Sequence, residues 1–438
     1  MKSIIKPSLL LACLGAAVSA CGSSDDAPSA PVSIELATWW TQGAEVDAIN
    51  ALIAEHKKLH PEVTVKSLPS ENAAALQSLV QTRLSAGNPP AAFQANLGGS
   101  ALQWGPNAQS LNSISSAWKS NYDSSVLEQL TYNGNLIGVP VALTRQNVAY
   151  WNLKVLSTIA LTKKVPSTIA EFNTWLTEVS AAGYTHPLCF GGKDSWVVAH
   201  VMFEDIVPAV VGADVSHTFW SGQGTGVPTD ALTAAFDFAK SIQPYLVTDW
   251  ADMGMAAGID RVMIAETNPA NQCLMTSMGD WGGAQLEGNM NTVASDFTAT
   301  DGFIGTGWPS AAAGVGTSLF VFGGDTFVAA KGAANQQAVF DFFNTMASEA
   351  GQTAFGVKKG SMAARKLDIS AYGPPFSVLT KANATDFNAG HTLAGFKVIG
   401  SSNFSFDTLS TIVVDFFKTG DPTATISYMK DNYSALKP

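Results

Sequence analysis

The sequence predicts an α/β protein of two domains, each a sheet wrapped by helices, and two observations carry that expectation. Near the start of the globular part, strand-like and helix-like segments alternate as β-α-β-α-β, which implies a parallel sheet covered by helices. A chain of 438 residues is too long for one ordinary core, while 46% apolar against 13% charged residues is the balance of a well-packed globular protein.

The elements follow in order. Ile34 and Leu36 alternate with polar residues as a half-buried strand does, and Glu45 to Leu59 is helical by spacing, with Val46, Ile49 and Ile53 on one face. Pro61 stops that helix. Val63 and Val65 begin another alternating strand, and a helix from Asn72 to Ala86 leads to the short apolar run around Phe93. Pro166-Ser-Thr-Ile-Ala-Glu171 opens a helix with a capping box between Thr168 and Glu171, and Phe172, Leu176 and Val179 continue its apolar stripe to Gly183. Later helices are expected over Asn335 to Glu349, Phe406 to Phe417 and Pro422 to Leu436, and no internal repeat is visible.

Ahead of these elements, residues 1–20 have the pattern of a lipoprotein signal. Lys2 and Lys6 give a basic start, Leu9 to Val18 is mostly apolar but too short to span a bilayer, and Val18-Ser19-Ala20 precedes Cys21. The expectation is lipidation at Cys21, then a Gly/Ser/Asp/Pro linker to residue 31. The formal charge is −11, and loss of a signal holding two lysines and no acid takes it to −13. Such a balance excludes a nucleic-acid footprint and a polybasic membrane surface, so membrane attachment is expected through the lipid alone. Cys189 and Cys273 remain as an even pair in an oxidising compartment. A disulfide between two adjacent strand-like segments is expected, the alternative being two buried free thiols.

Enzyme motifs occur without the context that their chemistry needs. Ser116-Ala-Trp-Lys119, Ser401-Ser-Asn403 and Lys418-Thr-Gly420 follow the order of a penicillin-binding serine enzyme, but the last closes a helical stretch and lies too near the second. Of six histidines only His56 and His60 have a metal-like spacing, without the intervening glutamate or a third ligand, so no metal is expected. Gly222-Gln-Gly-Thr-Gly226 lacks a strand-to-helix context for cradling phosphate, and no cofactor is expected. What remains suits a neutral polyol. Indole faces match the C–H face of a sugar, and amides, carboxylates and ammonium groups at loops after strands match its hydroxyls. In an open parallel sheet such ligands bind beyond the carboxyl ends of the strands, where Trp39-Trp40 sits.

Trp39-Trp40-Thr-Gln-Gly-Ala-Glu45, Phe93-Gln-Ala-Asn-Leu-Gly98, Met278-Gly-Asp-Trp281, Gly324-Asp-Thr-Phe327 and Lys359-Gly-Ser-Met-Ala-Ala-Arg365 resemble, in that order, the extracellular sugar-binding proteins of ATP-driven importers. The likeness runs from about Glu35 to the final helix and is to the bacterial glucose/mannose type. It implies a two-lobed periplasmic-binding-protein fold, type II-like, with a cleft between lobes. The first lobe would take about 32–141 and 306–351, the second about 142–305 and 352–438.

The resemblance implies a sugar held by Trp39, Trp40, Glu45, Gln94, Asp325 and Lys359, with Asn96 where relatives have a histidine or lysine. Trp196 and Arg145 are further candidates, Trp196 having core packing and Arg145 an interlobe ion pair as the alternative. Asp280 and Trp281 are expected to hold the second lobe together. Trp40 is expected to be the principal stacking face, with Trp39 its neighbour or a core residue. Met255 stands where relatives often present a stacking tryptophan, and Lys397 lies near the place of a ligand-contacting histidine. The expected function is capture of a monosaccharide, glucose-like, by cleft closure and delivery to an ABC permease by a monomeric, non-enzymatic, lipid-anchored protein of the cell envelope. A surface-anchored glycoside-active enzyme using Asp325, or a sugar sensor read by a membrane receptor, are the alternatives.

Overall fold

Apolar residues at Ile34, Leu36 and Ala37 set strand β1 (Val32–Thr38), which pairs in parallel with β2 (Val63–Pro69) and β3 (Ala92–Asn96). The computed structural model describes residues 32–41, 43–290, 302–309, 319–368, 370, 376–401 and 403–437. The expected signal, linker and lipidation site Cys21 lie outside them. Helices α1 (Gly43–Leu59) and α2 (Ala73–Ser85) cross over between these strands, and Asn72 caps α2 by accepting from Ala75 N at 2.9 Å. No helix among the described residues is long and apolar enough to cross a membrane.

The first sheet is mixed, which the purely parallel expectation did not include. Strand β4 (Gly138–Arg145) and the later strand β9 (Phe320–Ala329) are antiparallel to one another, and β9 is antiparallel to β3, with Asp325 opposite Asn96. Strand β10 (Thr392–Ala394) continues the sheet in parallel along Phe320–Phe322. The chain leaves this sheet after Arg145 and enters a second one at β5 (Val148–Asn152), beside β7 (Met275–Met278) and β8 (Phe303–Gly307), with β6 (Leu188–Cys189) at the β7 edge. Cys189 and Cys273 are joined by a disulfide, Cα to Cα 5.8 Å, which ties β6 to the approach of β7.

Helix α3 (Ile169–Ala181) buries Phe172, Trp175, Leu176 and Val179 in the second lobe, and both bonds of its capping box, Thr168 with Glu171, are formed. Next come α4 (Ser195–His200), a π-helical turn Val201–Ile206 and α5 (Val207–Val211), then α6 (Trp281–Met290) after β7. The helix expected over 335–349 breaks at Ser348. It is two elements, α7 (Gln336–Ala347) and α8 (Glu349–Lys359), because the Ser348 hydroxyl caps α8 through Gly351 N at 3.0 Å. Helix α9 (Val378–Asn388) lies between β9 and β10 in the chain, and α10 (Phe396–Ile399), α11 (Phe406–Thr419) and α12 (Thr423–Asp431) complete it.

Two large hydrophobic cores result, one on each sheet. Leu143, Phe355, Met362 and Ala364 belong to the first and Trp308 to the second. The packing therefore changes lobes at Gln146–Asn147, between Trp308 and Leu319, and around Gly395, rather than at the expected 141, 306 and 351. Strand pairing and burial decide this, since β4 stays in the first sheet to Arg145 and α8 packs on α1.

Candidate functional site

The site is built where β1 ends, beside the middle of β3 and β9, at the start of α1 and the end of α8. Thr38 Oγ1 donates to Gln94 Oε1 at 2.5 Å and accepts from Trp40 N at 3.1 Å, while Trp39 N donates to the same Gln94 oxygen at 3.1 Å. Gln94 thus pins the turn that carries both tryptophans.

Burial separates the two rings, against the expectation that Trp40 is the principal stacking face. Trp40 is only 3% exposed and packs against Phe355, 5.5 Å between centroids, and edge-on to Phe327 at 6.0 Å. The Lys359 ammonium lies 4.8 Å from the Trp40 ring centroid, a cation–π arrangement in a nearly dry setting. Trp39 keeps partial exposure at the edge of the core. Trp40 is therefore a core residue supporting the lysine, and Trp39 is the ring left accessible.

Lys359, itself 3% exposed, donates to Glu45 Oε1 and lies 3.8 Å from Asp325 Oδ2. Burial works against its charge, yet Asp325 and Glu45 together raise its pKa above the ordinary lysine value. Burial pushes the Asp325 carboxyl up to about 6 against the pull of Lys359, with Glu45 adding to the rise and Gln94 opposing it. Asn96 is half-buried and opposite Asp325 in the β3–β9 register.

Asp280, at the end of β7 in the other lobe, faces the same group. It is fully buried, and burial pushes it to about 7 despite its bond from the Arg145 backbone and the field of Lys359, with Asp325 adding to the rise. Its Oδ2 accepts from Arg145 N at 3.0 Å and its N–H donates to Arg145 O at 2.9 Å, while Oδ1 makes no hydrogen bond among the described residues. The lobes also meet beside it, since a Cβ on Gly360 would come 2.5 Å from Ala284 Cβ. Asp280 ties the second lobe to the end of β4 and also borders the charged cluster.

Behind Asp280 the second lobe presents aromatic rings. Trp196 stands perpendicular to His200 at 6.4 Å, His200 is edge-on to Trp281 at 5.8 Å, and Met255 packs in the same partly buried patch. Two candidates fall elsewhere. Arg145 is buried under an ion pair with Asp386 at 2.6 Å, stacks 4.9 Å over Phe320 and reaches Asn147 Oδ1 at 3.4 Å, so its guanidinium is engaged within the first lobe at the start of the crossing and not in the expected interlobe pair. Lys397 lies 5.6 Å over Phe396 and is drawn to Asp407 and Glu204, and none of its described contacts reaches the Lys359 cluster. Sequence reasoning passed over His200, Glu204 and Asp205. The signal was present as two adjacent acids inside the apolar run from Val197 to Val211. Among the described residues no group of three or more histidine, cysteine or acidic side chains is arranged to hold a metal ion.

Comparison with known proteins agrees with this architecture. Residues 51–366 match the family described as bacterial extracellular solute-binding protein. An uncharacterized ABC transporter extracellular-binding protein of Pyrococcus horikoshii is 25% identical over 366 residues, covering 82% of this chain and 77% of its own. A probable sugar-binding periplasmic protein of Rhizobium meliloti is 25% identical over 354 residues, 80% of each chain. Among solved structures, a chitin oligosaccharide binding protein superposes with a TM-score of 0.75 at 18% identity, over 92% of this chain and 98% of its own.

Proposed function

Because the chain belongs to the bacterial extracellular solute-binding protein family, we propose that it captures a monosaccharide, glucose-like, in the cleft between its lobes and delivers it to an ABC permease. The observation that carries this reading is the buried Lys359–Asp325 pair with the half-exposed Glu45 bound to the same ammonium, next to the turn whose Trp39 ring stays accessible. Carboxylates accept from sugar hydroxyls, the ammonium donates to a hydroxyl or ring oxygen, and an indole face covers the C–H face of the ring. Such a site selects by hydroxyl position, because a ligand lacking one leaves a buried polar group unpaired. A sugar touching Lys359 from one lobe and Asp280 or Trp196 from the other gains most when the lobes approach, and that difference drives closure.

The Pyrococcus and Rhizobium relatives support the class of activity, and the chitin oligosaccharide binder sets the competing ligand size. Delivery from the outer face of a membrane by a lipid-anchored monomer, held through Cys21, completes the reading. Thermal unfolding of the purified protein with glucose, its epimers, amino and acidic sugars, and short oligosaccharides tests it. A ligand bound only by the folded state raises the melting temperature with its concentration. A rise with glucose or an epimer, the sugar being recovered unchanged, is the expected result. A rise only with oligosaccharides overturns the monosaccharide assignment, and hydrolysis of a glycoside overturns the binding assignment.

A further inference from the structure

One helix reaches two of the three lobe crossings with buried polar side chains. In α4, His200 Nε2 donates to Gln146 O at 2.8 Å, on the first crossing. One turn later, in the π-helical segment, Glu204 Oε2 accepts from Phe396 N at 3.3 Å, on the third crossing. Both acceptor and donor belong to residues also held by the first sheet or adjoining it. Gln146 N donates to Val321 O at 2.7 Å, and Gly395 N, one residue before Phe396, donates to Phe322 O at 2.8 Å. A Cβ on Gly395 would lie 2.6 Å from Glu204 Oε1, so that carboxylate sits directly against the backbone at the crossing and a side chain there would displace it.

The neighbouring Asp205 is tied into the second sheet. Ser277 Oγ lies 3.1 Å from Val148 O and 2.5 Å from Asp205 Oδ2. A hydroxyl has one hydrogen, so both contacts are hydrogen bonds only when Asp205 carries a proton and donates to Ser277. Burial, with the nearby Glu204 charge adding to it, pushes the Asp205 carboxyl well above its ordinary range, in agreement. A π-turn is rare and recurs at functional positions. Here it turns Glu204 to the third crossing and its neighbour Asp205 to the second sheet. Buried acids of this kind cost stability that an apolar pair would not, so their presence calls for a role in specifying geometry.

We infer that His200 and Glu204 are positioning residues that set the hinge: they hold the first and third crossings in the arrangement from which the lobes close on ligand. His200 also carries the setting to the cleft, because its ring is wedged between Trp196 and Trp281. The inference rests on the capture reading for its purpose, but not for its test.

The test measures the distance between the lobes by pulsed electron resonance, with spin labels at Ser78→Cys and Thr233→Cys, both on exposed helix positions. His200→Leu and Glu204→Leu remove the contacts. His200→Gln keeps an N–H donor for Gln146 O, and Glu204→Gln keeps an acceptor for Phe396 N. In ligand-free protein the leucine variants are expected to broaden or displace the distance distribution, the glutamine variants to retain the wild-type one. Where wild type closes on a sugar, the leucine variants should bind it at least tenfold more weakly and the glutamine variants within about threefold. If a leucine variant does not fold, Gly395→Ala, which drives a methyl against Glu204, is expected to broaden the distribution instead. Leucine and alanine variants with the wild-type distribution would overturn the hinge assignment, as would glutamine variants as disturbed as the leucine ones. A wild type indifferent to every sugar would overturn the capture reading alone, since the ligand-free distances judge the hinge independently.

Discussion

The two walls of the cleft are made of different material. The first lobe offers charge, with Lys359, Glu45 and Asp325 locked together over Trp40, and the second offers rings, with Trp196, His200 and Trp281 in a row behind Asp280. The charged wall is rooted in the middle of strand β9 and in two helices packed on each other, so its geometry is set by the fold. The aromatic wall is held by ring packing and, through His200, by the crossing strand. On the proposed capture reading, the difference assigns selection among hydroxyl patterns to the first lobe, and closure, with the affinity it adds, to the second.

The largest effect expected separates support from contact. Trp40→Ala empties a core position between Phe327 and Phe355 and should cost about 3–5 kcal/mol of stability, read by denaturant unfolding. A loss below about 1 kcal/mol would return Trp40 to the ligand-facing side.

Next in size is a pH effect in the second lobe. Burial pushes Glu204 to about 8, against the Phe396 N–H bond and the field of Lys397. Its folded pKa is above its unfolded value of about 4.5, so the folded state holds the proton and the carboxyl destabilises the fold as pH rises from about 4.5 to 8. Glu204→Gln should therefore gain on the wild type over that window, by up to about 4 kcal/mol, with no gain at lower pH. Equal pH dependence in both proteins would show Glu204 ionised in the fold. His56 has the opposite sign. Burial, and the neighbouring His60, lower it to about 4, so it is neutral in the fold and its contribution is lost as pH falls from about 6.5 to 4.

The charged wall comes third. Lys359→Met removes the ammonium shared by Glu45 and Asp325 and should weaken sugar binding at least about 100-fold, about 2.7 kcal/mol. A smaller expected effect falls on the accessible rings: Trp39→Ala and Trp196→Ala each weaken binding by about tenfold without loss of stability, measured by calorimetry and unfolding together. If Trp196→Ala has no effect while Trp39→Ala does, the second wall takes no part in binding and the comparison fails.

Much of this was legible in the sequence where local chemistry decides structure. Asn72 and the Thr168–Glu171 box announce their helices because a cap is a short-range event, and the alternation at Ile34 and Leu36 marks a strand with one face covered. Strands β4 and β9 were not legible as strands, because every residue of both is buried and no alternation survives. Resemblance brought Glu45, Asp325 and Lys359 onto one list, and the fold brings them to one place. It did not tell Trp39 from Trp40, since which of two adjacent rings turns inward depends on Gln94 and Phe355, which are 54 and more residues away. Nor did it separate Arg145 and Lys397 from the site, because the acids that hold them, Asp386, Asp407 and Glu204, are brought in by tertiary packing.

The most direct test of the account is a calorimetric titration of the purified wild type and of Lys359→Met with the monosaccharide that most raises the melting temperature. The account predicts one sugar per chain for the wild type, and binding at least about 100-fold weaker in a variant that still folds. Equal affinity in the two proteins, or no heat from any sugar with the wild type, would contradict it.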